Sequence, residues 1–186
     1  LIEGESGTGK ELFAHSIHRL SNQCEGPFVA INCATLPSEL LESELFGYER
    51  GAFTGAHVAG KKGLIELAHK GTLFLDEITS LTYPLQAKLL RLLSEHEILK
   101  LGSDRIVPVE IRILAATNVD IESCVADHRF REDLYYRLSA FRLHIPPLRE
   151  RPEDLVPLFS HFVCRIRTEI IGSLIEKKQM IRSILA

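Results

Sequence analysis

The chain has 186 residues, 45% of them hydrophobic, and a formal net charge of −3. That length supports one domain with a sizeable core and room for an incomplete appendage. The acidic balance, with no zinc-finger spacing and no basic arm, excludes a polyanion-binding role for the chain as a whole. No apolar run reaches membrane-spanning length and no signal peptide is visible.

Leu1-Ile2 reads as the tail of a buried strand, and a chain that starts inside a strand without an initiator Met is expected to be a fragment. Gly4-Glu5-Ser6-Gly7-Thr8-Gly9-Lys10 follows, with the spacing G-x-x-x-x-G-K. Its glycines let backbone N–H groups turn inward around phosphate oxygens, and Lys10 adds a point charge for the β- and γ-phosphates. The spelling alone also fits an ordinary glycine-rich turn. Lys10 to Leu20 is expected to be a helix opened by that loop, with Leu12, Phe13, Ile17 and Leu20 near helical spacing and an N-terminus that favours an anion. Phe28 to Cys33 is a short apolar run expected to form a strand covered on both faces. A second helix starts at Pro37-Ser38-Glu39, with Leu40, Leu41, Leu45 and Phe46 as its apolar residues.

Gly47 to Gly63 is glycine-rich and has no clear period. Long connections of this kind are uncommon in compact domains and often functional. Within it stands Gly51-Ala52-Phe53-Thr54-Gly55-Ala56. Phe53 either grips a partner at an exposed loop tip or tucks into the core. Gly71 to Glu77 reads as an apolar strand ending in two acids. In a phosphate-binding protein the first, Asp76, can hold Mg²⁺ and the second, Glu77, can polarise water, whereas a helix-capping acid pair is the bland account.

A helix is expected from Pro84 to Glu95 with Leu85, Leu89, Leu90, Leu92 and Leu93 apolar, then a strand from Val109 to Thr117. Asn118 would then lie at the carboxyl end of the sheet, as a ligand residue or a turn residue. Phe130 to Leu138 reads as a short helix whose Arg131 and Arg137 point to different faces, with surface pairing to Glu132 and Asp133 as the simpler role. Phe141 to Ile145 is a last strand ended by Pro146-Pro147, and Pro152 starts a helix to about Ile166. Cys24, Cys33, Cys124 and Cys164 lack C-x-x-C pairing and are expected to be reduced structural thiols of a cytoplasmic protein. The alternation of strands and helices argues for an α/β fold with a parallel sheet and helices on both faces.

The segments GESGTGKE, ESELFGYERGAFTGA, GTLFLDEI, QAKLLRLL, RILAATN, FREDLYYRL and PPLRERPEDL, in that order, resemble the AAA+ ATPase domain of bacterial sigma-54-dependent transcriptional activators, the NtrC-like enhancer-binding proteins. GAFTGA is the most specific of them. The resemblance covers about residues 1–165 and implies a P-loop NTPase core with sheet order 5-1-4-3-2. It implies an ATP- and Mg²⁺-dependent hydrolase that remodels sigma-54 RNA polymerase closed complexes as a hexameric ring. It assigns Gly4 to Lys10 to Walker A, Asp76 to Mg²⁺ and Glu77 to water activation. Asn118 would be sensor I, Asn32 would restrain the Walker B glutamate, and Arg131 and Arg137 would be arginine fingers. Residues 51–56 would engage sigma-54, and DNA would be reached only through a domain not present here.

Glu11 stands where a general P-loop has Ser or Thr on Mg²⁺, and the family commonly carries an acid there. The segment before Leu1, the helical lid and its sensor II arginine are missing from the pattern, and residues 166–186 no longer match it. A truncated, non-catalytic nucleotide- or polymerase-binding module is the alternative, and a different AAA+ machine such as a helicase or chelatase a third.

Overall fold

The computed structural model describes residues 1–52 and 60–166. The chain divides into two compact units, 1–145 and 146–186. The first is built around a five-stranded sheet in which every pairing is parallel.

In chain order its elements are β1 (Ile2–Glu3), α1 (Lys10–Arg19), β2 (Phe28–Asn32), α2 (Ser38–Phe46), β3 (Gly47–Tyr48), β4 (Lys61–Lys62), α3 (Leu64–Leu67) and β5 (Thr72–Asp76). There follow α4 (Tyr83–Glu95), β6 (Glu97–Leu99), β7 (Ile106–Pro108), β8 (Arg112–Thr117), α5 (Ile121–Ala126), α6 (Glu132–Leu138) and β9 (Leu143–His144). The sheet order is β2-β5-β8-β1-β9. Counting only the five sheet strands along the chain, this is 5-1-4-3-2 read from the other side, the expected order.

The sheet is covered on both faces, and the strand alternation shows how. Leu73 and Leu75 of β5 and Ala115 of β8 enter a large apolar cluster with Leu41, Leu45, Ile65, Leu89, Phe130 and Leu134 from α2, α3, α4 and the region of α6. Their neighbours Phe74, Leu114 and Ala116 point the other way, into a smaller cluster with Ile2, Ala14 and Ile145 under α1. Two-sided burial accounts for the unbroken apolar run Leu73-Phe74-Leu75.

Three expectations change. The face α1 turns inward is not its leucine face. Lys10, Ala14 and His18 are buried, while Leu12 and Leu20 are 72% and 89% exposed and Phe13 also faces outward. The helix lies close against the sheet, so the small Ala14 fits there. His18 Nδ1 makes a 2.9 Å hydrogen bond with the buried Thr72 Oγ1. β2 is an edge strand, half-buried rather than covered on both faces, with Ala30 exposed. Leu40 of α2 is likewise exposed.

Gly47 to Gly63 is not structureless at its base. β3 and β4 form an antiparallel pair, Gly47 opposite Lys62 and Tyr48 opposite Lys61. A second hairpin, β6 with β7, precedes a shorter β8 than the expected Val109 start. The two hairpins are laced together by backbone: Glu49 N donates to Leu101 O and Leu101 N to Gly47 O, each at 3.0 Å. Phe53, Thr54, Gly55 and Ala56 lie outside the described residues, as does 167–186.

In the second unit, short 3₁₀ turns at Leu148–Glu150 and Pro152–Asp154 lead into a helix over 155–166. Among the described residues no helix is long and apolar enough to cross a membrane.

The reversed face of α1 gives a direct test. Leu12→Gln should shift unfolding stability by no more than about 0.5 kcal/mol. Ala14→Leu should destabilise by about 1–3 kcal/mol through overpacking. Urea unfolding midpoints at constant slope measure both; the reverse ranking would mean that α1 packs through its leucines.

Candidate functional site: a phosphate loop and an acid pair at one sheet edge

The loop between β1 and α1 has a geometry that only glycine satisfies at key points. Gly9, the N-cap of α1, is left-handed at φ 94°. At Gly4 a Cβ would stand 2.7 Å from the Ile145 carbonyl oxygen of the chain segment leaving β9, so no larger residue fits without moving backbone. No side chain caps the N-terminus of α1, and its first-turn N–H groups face the loop end with the positive pole of the helix dipole behind them. Lys10 is buried, and its Nζ donates to the carbonyl oxygens of Gly4 at 2.9 Å and Glu5 at 3.0 Å. Thr8 Oγ1 donates to Glu5 O at 2.8 Å. Glu5, Ser6 and Gly7 are exposed. The loop thus combines uncapped amides, an ammonium and open space beside Gly7, the donor set that a phosphate chain requires.

The acids stand two strands away at the same edge. Asn32 and Asp76 are register partners at the ends of β2 and β5. Asn32 Nδ2 donates to Asp76 Oδ2 at 3.3 Å, while Asn32 Oδ1 accepts from Ala34 N at 2.9 Å, which orients the amide. Asn32 therefore holds Asp76, not Glu77. The reason is local: Asp76 is still in the ladder opposite Asn32, whereas Glu77 has left it through a left-handed turn at φ 52°, ψ 48°. A non-glycine residue there is strained by about 1–3 kcal/mol, a cost met mostly at functional sites. The Glu77 carboxylate has no hydrogen-bond or ion-pair partner among the described residues, and its backbone N–H donates to Asp76 Oδ1 at 3.0 Å. Glu11, Asn32 and Asp76 line one small cleft.

Asn118 is exposed just past β8 and shares a second cleft with Gly4 and Glu5. The turn that carries it is pinned by Thr117, whose buried Oγ1 donates to Val119 O at 2.9 Å and lies 3.5 Å from Thr79 Oγ1 in the turn after Glu77. The strand ends bearing Asn32, Asp76, Asn118 and Gly4 thus follow one another along a single edge.

The two arginines are elsewhere. Arg131 is held by Asp133 through paired bonds of 3.0 and 2.7 Å and stands over the Tyr83 ring at 5.2 Å. Arg137 donates to Leu93 O at 3.2 Å and borders a groove lined by Arg112, Ile113 and Phe141, at the start of β8 rather than its end. Neither meets the phosphate loop of its own chain. Gly51 and Ala52 end the described part of the β3 hairpin, with Ala52 N donating to Glu49 O.

Sequence reasoning missed Gln86. Fully buried, it donates to Leu81 O and Arg129 O and accepts from Arg131 N at 2.8 Å, fastening the entry to α6 onto α4. A glutamine on the buried stripe of Leu85, Leu89 and Leu92 was the available signal.

A family model described as the sigma-54 interaction domain matches residues 1–144. The chain belongs to this family. It is 55% identical over 163 residues to the sigma54-dependent transcriptional activator SfnR of Pseudomonas putida, covering 88% of this chain and 44% of that protein. It is 51% identical over 185 residues to the regulatory protein AtoC of Escherichia coli K12, covering 100% of this chain and 40% of AtoC. It therefore spans less than half the length of these curated relatives. Among solved structures, NtrX from Brucella abortus in complex with ADP superposes with a TM-score of 0.82 at 39% identity, over 89% of this chain and 35% of that one.

Cys33 follows Asn32 and sits behind the acids. It is buried, and burial first, then the charges of Asp76 and Glu77, push its thiol up to about 12. At pH 8 it should remain protonated and fail to react with a disulfide reagent in the native domain, while exposed Cys24 reacts at once. Labelling of Cys33 before unfolding, read by mass spectrometry of peptides, would mean that the ends of β2 and β5 open in solution.

Proposed function

We propose that this sigma-54 interaction domain binds and hydrolyses ATP and, within a homo-oligomeric ring, uses that cycle to remodel the closed complex of sigma-54 RNA polymerase. The observation that carries the reading is the strand-end edge on which the Gly4–Lys10 loop, Asn118, Asp76 and Glu77 stand together. Family membership supports it, as does the NtrX homologue, of which structures in complex with ADP and with ATP are known.

The amides of the loop and of the first turn of α1 receive the phosphate oxygens, and the Lys10 ammonium turns from the Gly4 and Glu5 carbonyls toward the β- and γ-phosphates. Asp76, with Glu11 beside it, would hold Mg²⁺, which when bound neutralises phosphate charge and takes its remaining ligands from phosphate and water. That suits a site where no group of three or more candidate metal ligands occurs among the described residues. Asn118 orients the attacking water. Glu77 takes its proton as the water oxygen bonds to the γ-phosphorus and the bond to the ADP oxygen breaks. Arg131 and Arg137, turned away from their own loop, would serve a neighbouring subunit's nucleotide. Head-to-tail donation of that kind closes into a ring. The 51–56 segment, at the end of the β3 hairpin, would carry the motion to sigma-54.

The test is phosphate release by the purified domain with Mg-ATP over a protein concentration series. Specific activity should rise with concentration; its absence even when oligomers form would leave a binding module. Lys10→Ala should abolish nucleotide binding. Glu77→Ala should bind ATP and lower turnover by about 10²–10⁴. Wild-type turnover in the latter would remove Glu77 from proton transfer.

Phe53→Ala in the full-length protein should keep ATP hydrolysis within about twofold and lose promoter opening, because an aromatic anchor carries contact and not chemistry. Promoter opening retained at wild-type level would show that the 51–56 segment does not transmit the work.

A further inference from the structure

Outside the residues already assigned, one side-chain cluster joins the parts of this edge. The guanidinium of Arg142, one residue before β9, grips the Glu3 carboxylate with Nη2 at 3.0 and 3.1 Å and Nε at 3.2 Å. Its remaining Nη1 donates to Glu122 Oε1 at 2.6 Å and to the Tyr135 hydroxyl at 3.1 Å. Tyr135 OH in turn donates to Glu122 Oε1 at 2.8 Å, closing the triangle.

Each partner belongs to an element that carries a predicted part of the site. Glu3 ends β1 and is bonded covalently to Gly4, whose carbonyl receives Lys10. Glu122 is in the first turn of α5, directly after the loop of Asn118, and Asp120 caps that helix by accepting from Glu122 N at 3.1 Å. Tyr135 lies on α6 between Arg131 and Arg137. Glu3, Asn118 and Arg142 also line one cleft with Gly4.

Isolated surface ion pairs contribute little. This one differs in three ways. The Arg–carboxylate fork is bidentate, Glu3 is only 17% exposed, and the network spans residues 139 and 20 positions apart in the chain. The donated bonds of Tyr135 and Arg142 hold the Glu122 carboxyl below the usual carboxylate range, as a jointly held acid should be.

We propose that Arg142 is a positioning residue for ATP turnover: by clasping Glu3, Glu122 and Tyr135 together it holds the phosphate loop, the Asn118 turn and α6 in one geometry. The proposal rests on the ATPase reading above and adds to it a residue that acts through Glu3, Glu122 and Tyr135 rather than on the reacting groups.

The test uses the full-length protein. Arg142→Gln should lower kcat for ATP about tenfold and leave KM within about twofold, since misplacing catalytic groups costs rate more than binding. Arg142→Lys, which keeps charge but not the fork, should recover only part of the loss. Glu3→Gln, nearly isosteric, carries the test if Arg142→Gln does not fold, and should give the same kcat defect. The double substitution should be no worse than the more severe single one, because both act through one contact. Unchanged kcat in both single variants would overturn the proposal. So would a raised KM at constant kcat, which would make Arg142 a nucleotide ligand, or fully additive losses, which would make the two residues independent. No turnover in the unsubstituted protein would instead defeat the ATPase reading, and the clasp's role with it.

Discussion

Parallel hydrogen bonding sets where the five sheet strands stop, and the site is a consequence of those stops. Asn32 lies opposite Asp76, Leu75 opposite Ala115, and Glu3 opposite both Thr117 and His144. In an all-parallel sheet every strand leaves by the same edge, so the segments after β1, β2, β5 and β8 must emerge together. The core enforces the register. Leu73 and Leu75 serve one apolar cluster and Phe74 the other, so a slip of one residue in β5 would exchange the two sets and carry Asp76 away from Asn32. Packing and chemistry are therefore one constraint.

The sheet was legible because that constraint is written in residue type. Leu73-Phe74-Leu75 announces two-sided burial, and Asp76-Glu77 announces an end. The turn between β1 and α1 was legible because its glycines answer to backbone geometry. The inward face of α1 was not. Periodicity counts bulky apolar residues, and here a small alanine and a histidine bonded to Thr72 occupy the buried positions, while Leu12 and Leu20 face outward. A helix lying close to a sheet selects for small size at the contact, which a hydrophobic count does not register.

The contacts between elements were hidden for a different reason. Gly47, Glu49 and Leu101 join the two hairpins through main-chain N–H and C=O groups, which every sequence possesses. Gly102 approaches Ala52 so closely that a Cβ on it would lie 2.8 Å from the Ala52 Cβ, a fit that only coordinates reveal. The Arg142 cluster is made of charged residues that read along the chain as ordinary surface. Only the pairing of β1 with β9 brings Glu3 and Arg142 together, and that pairing depends on the whole topology. Residue type signals burial and local turns well; it signals poorly which distant charges will meet.

The turn after β5 shows how strain fits into this frame. Consecutive residues of a strand point to opposite faces, so two acids side by side in a continuing β5 would be divided between the two sides of the sheet. The left-handed backbone of Glu77 removes it from that alternation immediately after Asp76, at the edge where the neighbouring strands also end. The neighbours hold this conformation in place: Glu77 N–H is taken by Asp76 Oδ1, Glu77 O accepts from Ser80 N at 2.9 Å, and Ile78 is fully buried in the large cluster. Burial of Ile78 alone is of the order of 2 kcal/mol, comparable with the strain it offsets. An apolar anchor one residue beyond a half-buried acid thus permits a conformation that the acid by itself would not adopt, and gives two adjacent carboxylates different environments: Asp76 bound by Asn32, Glu77 without a side-chain partner among the described residues.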